Sequence, residues 1–178
     1  ENPNYMVLLL EAGSPDDDPN IHAQAGWPAT WQTERDWAYM TVPQKNAGNH
    51  PRYWPRGKTL GGSSSINGMI YIRGHRSDYD NWAYQGCHGW DYDQVLPYFK
   101  KSENYERGAS ENHGVGGPLH VTTIKNPNPI STVSIAACQE IGLPTTDDFN
   151  TNIWGAGMNE LTVTPEGERC STAKAFLV

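Results

Sequence analysis

Glycines, hydroxyls and an amide stand close together between Gly57 and Ile70, in a part of the chain that carries only positive charge. The string reads GKTLGGSSSINGMI, and its adjacent glycines allow main-chain N–H groups to approach a ligand because they have no Cβ. Every charged residue from position 51 to position 76 is Lys or Arg, although the whole chain holds 13 Lys and Arg against 20 Asp and Glu. A local positive field in an acidic protein indicates an anionic ligand, such as a diphosphate.

Three serines follow the glycines and predict the start of a helix that runs through Asn67 toward Ile72. Serine hydroxyls cap the first turn of helices. Such an end presents unpaired N–H groups and the positive end of the helix dipole to an anion. An ordinary turn of glycine and serine without a ligand explains the same string, so both interpretations stay open at this point.

A short apolar run, Tyr5–Leu10, precedes Glu11, Ala12 and Gly13. This order predicts a buried parallel strand that brings a carboxylate to the carboxyl edge of a sheet. In dinucleotide-binding folds such a carboxylate binds the adenosine ribose and lies about 20 residues after the first glycine-rich turn. Counting back that far from Glu11 passes residue 1, so that turn is not expected in this chain. The alternative is a strand whose last carboxylate is merely exposed.

Composition restricts the classes of partner and site. A net charge of −7 argues against nucleic acid as a partner. The odd number of cysteines, without a C-x-x-C motif, favours a reducing compartment, so a cytoplasmic location is expected. No apolar stretch is long enough for a transmembrane segment. The acidic run at positions 16–18 is interpreted as a solvated loop, and no metal site is expected.

Local signals also predict helices beyond the glycine string. Asp91 followed by Gln94 is typical of a helix start, and the helix is expected to run through Lys101. A second helix is expected to begin at Pro129 and to end at Gly142, which suits the left-handed position after a helix.

Taken together, these residues resemble the glucose-methanol-choline (GMC) family of flavin-dependent oxidoreductases. The family's first signature is met from Gly57 through Asn67, Tyr71, Gly74 and Asp80. Further strings similar to the family are VLLLEAG at 7–13, GWDYDQVLPYFKKSE at 89–103, GGPLHV at 116–121 and GERCSTAKAFL at 167–177. The central string RGKTLGGSSSINGMIYIRGH is most similar to choline-dehydrogenase-type members.

The resemblance implies an α/β fold whose long irregular connections contain α+β elements. It implies part of a Rossmann-like FAD-binding domain together with the start of the GMC substrate-binding domain. Residues 1–128 are expected to form an incomplete FAD-binding domain that lacks the first βα glycine loop, and residues 129–178 to begin the substrate-domain region. Because the family's catalytic His lies in the C-terminal third of the full protein, the chain is expected to be an N-terminal fragment without catalytic residues.

The resemblance also implies which residues contact FAD, and that FAD binds non-covalently. Some members bond the flavin to a His just before the Asn of the signature, and here Ile66 stands in that place. The implied contacts are Glu11 and Ala12 at the adenosine, Leu60, Gly61, Gly62 and Ser63 at the diphosphate, and Asn67, Gly68, Met69 and Ile70 along the isoalloxazine ring, with Arg56, Gly57 and Trp37 as further candidates.

The implied activity is that of an FAD-dependent alcohol dehydrogenase or oxidase. Such an enzyme passes a hydride from a primary alcohol to flavin N5 and gives an aldehyde, with oxygen or a quinone as the electron acceptor. Two alternatives stay open. Hydroxynitrile lyases of the GMC type keep FAD without net oxidation, and the chain alone is also interpretable as a non-catalytic nucleotide-binding fragment.

Overall fold

The computed structural model describes residues 4–177, which form two compact units. The first unit comprises the described residues through Gly68 together with Ser171–Lys174, and the second comprises Met69–Cys170 and the described residues after Lys174. The predicted boundary between residues 128 and 129 concerns whole FAD-binding and substrate-binding domains, and it stays a prediction. None of the helices within residues 4–177 is both long enough and apolar enough to cross a membrane.

The helices are α1 (Pro19–His22), α2 (Arg76–Tyr84), α3 (Tyr92–Ser102), α4 (Pro129–Glu140) and α5 (Thr172–Phe176), and short 3₁₀ helices cover Trp27–Thr30, Lys45–Ala47 and Gly62–Ser65. The strands are β1 (Tyr39–Met40), β2 (Tyr53–Trp54), β3 (Ile70–Tyr71), β4 (Glu103–Tyr105), β5 (Leu119–Val121) and β6 (Glu160–Leu161).

In the first unit, an antiparallel ladder leads toward the glycine string. Strand β1 pairs with β2, and beyond this pair Asp36 forms an antiparallel bridge with Gly57. The Trp37 N–H donates to the Arg56 carbonyl at 2.8 Å. The backbone just before the glycine string is therefore held by hydrogen bonds to residues about 20 positions earlier in the chain.

The run Tyr5–Leu10 does not form a strand. It has no ladder partner among residues 4–177, and its side chains are exposed, with Met6 at 101% relative accessibility. A buried parallel strand is stabilised by ladder hydrogen bonds to its neighbours and by apolar layers on both faces. The described residues provide neither for this run, so the prediction of a buried strand ending before Glu11 is wrong for this chain.

The predicted helix toward Ile72 is also absent. The 3₁₀ helix stops at Ser65, and β3 follows, paired antiparallel with β6. Between them Met69 has a φ of 63°, a left-handed conformation that no α-helix contains. The ladder to β6 extends the backbone where the serine caps predicted a helix, so pairing distant in sequence overrides the local signal.

The other two predicted helices are confirmed. Asp91 is the N-cap of α3, and its carboxylate accepts the Gln94 N–H at 3.2 Å. Helix α4 begins at Pro129, and Gly142, with a φ of 82°, follows its end. Caps are decided by a few adjacent residues, so the sequence is sufficient to predict them.

The apolar core of the second unit lies between α2 and α3. Its buried members are Tyr79 from α2 with Tyr92 and Val95 from α3, and Leu96 and Phe99 pack against them. The Tyr79 and Phe99 rings meet edge to face with centroids 5.8 Å apart, an arrangement that aromatic pairs favour. The apolar face of α3 therefore packs against α2 and fixes its position.

A buried charged cluster forms a second core in the same unit. The His113 ring lies between two carboxylates, with Nδ1 2.9 Å from Glu103 and Nε2 2.8 Å from Asp148. The ring stacks on Tyr105 with centroids 3.8 Å apart. The Arg73 guanidinium lies 3.0 Å from the second oxygen of Glu103. Because both ring nitrogens face carboxylates, the geometry suits the doubly protonated imidazolium.

The cluster continues to Glu160 on β6. Its carboxylate accepts hydrogen bonds from the Tyr105 hydroxyl at 2.7 Å, the Arg107 guanidinium at 2.9 Å and the Asn150 amide at 3.1 Å. Glu160 and His113 are each 1% exposed. These contacts join β4, β6 and the segment around residue 150 through polar groups that are costly to leave unpaired once buried.

The His113 cluster predicts a pH-dependent stability. Burial opposes the charged ring, but the hydrogen bonds and charges of Asp148 and Glu103 outweigh it and raise the pKa of His113 from 6.5 to about 9. A raised pKa stabilises the folded state fully below about pH 6.5, and this stabilisation is lost as the pH rises through about 9. We expect the free energy of unfolding to fall by about 3 kcal/mol over that window from this group.

Urea titrations at a series of pH values, comparing wild type with His113→Gln, measure this dependence. The exposed His88 provides the matched control, since His88→Gln is expected to keep the wild-type slope. Equal pH slopes for wild type and His113→Gln would show that the imidazolium does not stabilise this unit.

Candidate functional site

The glycine string forms a tight loop in the first unit. Gly61 and Gly62 have φ values of 84° and 57°, in the left-handed region that glycine adopts without strain. A Cβ on Gly57 would lie 2.1 Å from the Gly62 carbonyl oxygen, so the two ends of the loop are in backbone contact. The Gly62 N–H donates to the Thr59 carbonyl at 2.8 Å, which closes the turn. The loop is therefore built by the chain itself.

The segment after Glu11 lies directly against this loop. Ser14 forms a parallel bridge with Thr59, whose hydroxyl donates to the Ser14 carbonyl at 2.9 Å and is fully buried. A Cβ on Gly13 would lie 1.9 Å from the Lys58 carbonyl oxygen. The Glu11 carboxylate is exposed and accepts the Gly13 N–H at 2.8 Å. The acidic residue and the basic loop thus come from adjacent segments of one unit.

Most of the residues that the resemblance implies as FAD contacts lie in the first unit. Those in the first unit are Glu11, Ala12, Trp37, Arg56, Gly57, Leu60, Gly61, Gly62, Ser63, Asn67 and Gly68, whereas Met69 and Ile70 are the first residues of the second unit. Met69 is buried, and its carbonyl accepts the Thr162 N–H at 2.8 Å.

Asp36 is a buried carboxylate outside the sequence motifs, and it anchors the backbone just before the loop. Asp36, 6% exposed, accepts the N–H groups of Arg56 at 2.9 Å, Ala38 at 3.0 Å and Gln32 at 3.0 Å, as well as the Tyr53 hydroxyl. Burial alone would raise its pKa, but these hydrogen bonds outweigh burial and hold the pKa of Asp36 below its usual value. Asp36 is therefore ionised at neutral pH and binds four donor groups, which belong to the two segments 32–38 and 53–56.

Arg35 holds the acidic run next to Ser14. Its guanidinium donates to the Ser14 hydroxyl and the Pro15 carbonyl, each at 2.7 Å. It also forms ion pairs with Asp17 at 3.1 Å and Asp18 at 3.2 Å. Two of the three carboxylates therefore pair with the Arg35 guanidinium. These ion pairs anchor the segment that contacts the loop.

Positive side chains and aromatic rings surround the loop. The Lys58 ammonium lies 4.8 Å from the centre of the Trp37 ring, and the Arg56 guanidinium lies 5.2 Å from that of Trp54. Trp37 in turn stacks on Tyr39, with nearly parallel rings 6.0 Å apart. Such cation–π contacts hold the two charges close to the loop without neutralising them.

A cleft of about 300 Å³ opens beside the loop within the first unit. Its lining residues are Trp31, Pro55, Arg56, Ser63, Ile66, Asn67 and Gly68. The Trp31 indole N–H donates to the Ile66 carbonyl at 3.2 Å. Sequence reasoning missed Trp31 and Asp36, because neither belongs to a local motif and both contact residues 20 or more positions away.

Comparison with known proteins gives consistent matches. A family model described as GMC oxidoreductase matches residues 23–178. The chain is 41% identical over 186 residues to the mitochondrial choline dehydrogenase of Mus musculus, a match that covers 99% of this chain and 31% of that protein. It is 46% identical over 183 residues to the oxygen-dependent choline dehydrogenase of Burkholderia multivorans, covering 99% of this chain and 32% of that protein. The chain spans about a third of the length of these relatives.

Solved structures of other proteins also match this chain. The pyridoxine 4-oxidase from Mesorbium loti superposes with a TM-score of 0.88 and 33% identity, covering 99% of this chain and 35% of that one. A formate oxidase from Aspergillus oryzae RIB40, studied for its FAD modification, gives a TM-score of 0.81 and 28% identity over 98% of this chain and 32% of that one. The α/β fold class predicted from the sequence is confirmed.

Removing the Asp36 carboxylate is expected to destabilise the site more than any exposed acid does. Asp36→Ala leaves three main-chain N–H groups and a hydroxyl without their acceptor, so we expect the free energy of unfolding to fall by about 3 kcal/mol. Asp17→Ala is the matched control, because its side chain is 74% exposed, and its loss is expected to cost less than about 1 kcal/mol. Urea denaturation measures both; similar midpoints for the two variants would contradict the assigned role of Asp36.

Proposed function

We propose that this chain, which belongs to the GMC oxidoreductase family, forms part of the FAD site of an alcohol dehydrogenase or oxidase. One observation carries the proposal: the basic glycine loop packs directly against the segment that bears Glu11, through Ser14 and Thr59. An acid for the adenosine ribose beside an N–H-rich, positive loop for the diphosphate is the combination that a flavin nucleotide requires.

The residues present fit such a nucleotide. Among residues 4–177, no atom outside the adjoining residues lies within 4 Å of the place where a Cβ would stand on Gly62 or Gly68, so a ligand can approach both backbones closely. Arg56 and Lys58 supply positive charge at the loop. The exposed carboxylate of Glu11 has one oxygen engaged with the Gly13 N–H and a second oxygen to accept hydroxyl groups.

We assign the parts of FAD to residues as the sequence resemblance implies. Glu11 and Ala12 take the adenosine end, the stretch 60–63 with Arg56 and Gly57 takes the diphosphate, and Asn67 and Gly68 lie along the ring. The assignment of Met69 and Ile70 rests on the resemblance alone. Ile66 is aliphatic and 2% exposed, which supports non-covalent binding at this position.

The chemistry that FAD supplies is the acceptance, at N5, of a hydride from a primary alcohol, which leaves an aldehyde. This chain's residues bind the nucleotide, offset its phosphate charge and orient its ring. No residue of the chain is assigned to removal of the hydroxyl proton. Because the relatives are choline dehydrogenases, of which one is described as oxygen-dependent, we propose a small alcohol such as choline as substrate, and oxygen or a quinone as acceptor.

Cellular location is proposed separately. None of Cys87, Cys138 and Cys170 forms a disulfide within the part of the chain that the structure describes. This supports a reducing compartment, and the cytoplasm remains the proposed location.

Release and reduction of the flavin test the proposed function. The full-length protein, purified and then denatured, is expected to release FAD into the supernatant, and anaerobic choline or another primary alcohol is expected to bleach the bound flavin. Protein with neither released nor covalent flavin would contradict the FAD site. Flavin that stays oxidised with every alcohol while a cyanohydrin is cleaved would instead favour the lyase alternative.

Substitution of Gly68 tests the ligand's approach to the loop. Gly68 has open surroundings and no left-handed φ, so Gly68→Ala is expected to change the stability of the apoprotein by less than about 0.5 kcal/mol. We expect the FAD dissociation constant to rise roughly tenfold, because the new methyl group occupies space that a closely bound ligand needs.

Gly108 provides the opposite control. Its surroundings are also open, but its φ of 96° disfavours any side chain. Gly108→Ala is therefore expected to lower the stability by about 1 kcal/mol and to leave FAD affinity unchanged. Equal FAD affinity for wild type and Gly68→Ala would show that the ligand does not approach this glycine.

A further inference from the structure

We infer that Trp31 is a positioning residue of the cofactor cleft, which holds the main chain at Ile66 and presents its indole ring to a planar heteroaromatic ligand. This inference rests on the proposed FAD site and deepens it, because it adds a residue that no motif of the sequence contains. It also assigns the part of the cleft beside Trp31, Asn67 and Gly68 to the ring of the nucleotide.

The hydrogen bond from Trp31 is placed where the loop meets the cleft. Its indole N–H donates to the Ile66 carbonyl at 3.2 Å, across 35 positions of sequence. Ile66 is 2% exposed, whereas the next two residues, Asn67 and Gly68, are exposed and line the same cleft as Trp31. The indole therefore fixes the last buried residue before the exposed wall, and with it the position of that wall.

Trp31 is itself held from two sides. Its ring lies 4.8 Å from that of Trp27 and meets the Tyr53 ring edge to face at 6.3 Å. The Tyr53 hydroxyl donates to Asp36, and the Thr30 hydroxyl ties the preceding turn to the Trp27 carbonyl at 2.7 Å. Asp36 thus orders the indole as well as the Arg56 backbone, so the ring needs little further ordering when a ligand binds.

The charge of the cleft selects the class of ligand. Arg56 lines the same cleft, so a cationic substrate such as a quaternary ammonium alcohol is repelled there despite the aromatic ring. A neutral planar ring gains a stacking or edge contact with the indole and a polar partner in Asn67. These properties match the isoalloxazine end of FAD and not the alcohol.

Trp31→Phe separates the hydrogen bond from the ring, because phenylalanine retains an aromatic face and lacks the N–H. We expect the FAD dissociation constant of the full-length protein to rise about fivefold, and the visible absorption bands of the bound flavin to shift. Trp31→Ala also removes the face, and a further rise of roughly tenfold is expected.

Trp154→Phe is the matched control, since Trp154 is 72% exposed and belongs to the second unit. It is expected to keep the wild-type FAD affinity and spectrum. The assay titrates apoprotein with FAD, records the flavin spectrum and follows thermal unfolding of the apoprotein, so that loss of folding is seen separately from loss of binding.

The outcomes separate this inference from the proposed function. Unchanged FAD affinity and spectrum in both Trp31 variants, with or without lower apoprotein stability, would overturn the positioning role while leaving the FAD site intact. A wild-type protein that binds no FAD would overturn both. Weakened binding with a shifted spectrum in Trp31→Phe, and wild-type stability of its apoprotein, would support the inference.

Discussion

The hydrogen bonds of the buried Asp36 carboxylate are the constraint on which the first unit depends. Three main-chain N–H groups and one phenol converge on two oxygens, and each of these donors belongs to a segment that borders the cleft or the loop. Arg56 is one residue before the close contact between Gly57 and Gly62, and Gln32 is one residue after Trp31. A single desolvated charge therefore sets the position of both sides of the candidate site, and its depressed pKa is the result of that arrangement.

The second unit is built on the same principle with more charges. Only 37% of the residues in the chain are hydrophobic, and the apolar cluster around Tyr79 is small. The His113 cluster joins strands and loops through ion pairs that are almost fully buried. Such a cluster adds little stability when compared with apolar groups packed in the same place. Removing the charge of one partner, as deprotonation of His113 does, is costly because the other charges stay buried. We infer that it specifies one arrangement of β4, β6 and their loops.

The parts of this structure that the sequence predicted are those decided by neighbouring residues. Asp91 and Gly142 mark helix ends because capping involves one turn of backbone. That the Glu11 segment and the glycine loop bind one nucleotide stays a prediction from the resemblance; the structure places the two segments in contact through Ser14 and Thr59. The strand predicted at 5–10 does not form because this run has no ladder partner among residues 4–177. The helix expected after Ser65 is replaced by β3 because that segment pairs with β6. The roles of Trp31 and Asp36 were not predicted for the same reason: the bond from Trp31 to Ile66 and the bond from Arg56 to Asp36 join residues 20 or more positions apart, and a lone Trp or Asp has no pattern.

The loop is held by contacts within the chain, and this bears on how we propose that a nucleotide binds. The left-handed glycines, the hydrogen bond that closes the Thr59 turn and the Ser14 bridge together shape the backbone that we propose for the diphosphate. Glu11 retains one oxygen beyond its bond to the Gly13 N–H, so it can accept a ribose hydroxyl without losing that bond. The proposed contribution of Trp31 concerns the remaining part of the site, the wall formed by Ile66, Asn67 and Gly68, because its indole N–H holds the Ile66 carbonyl.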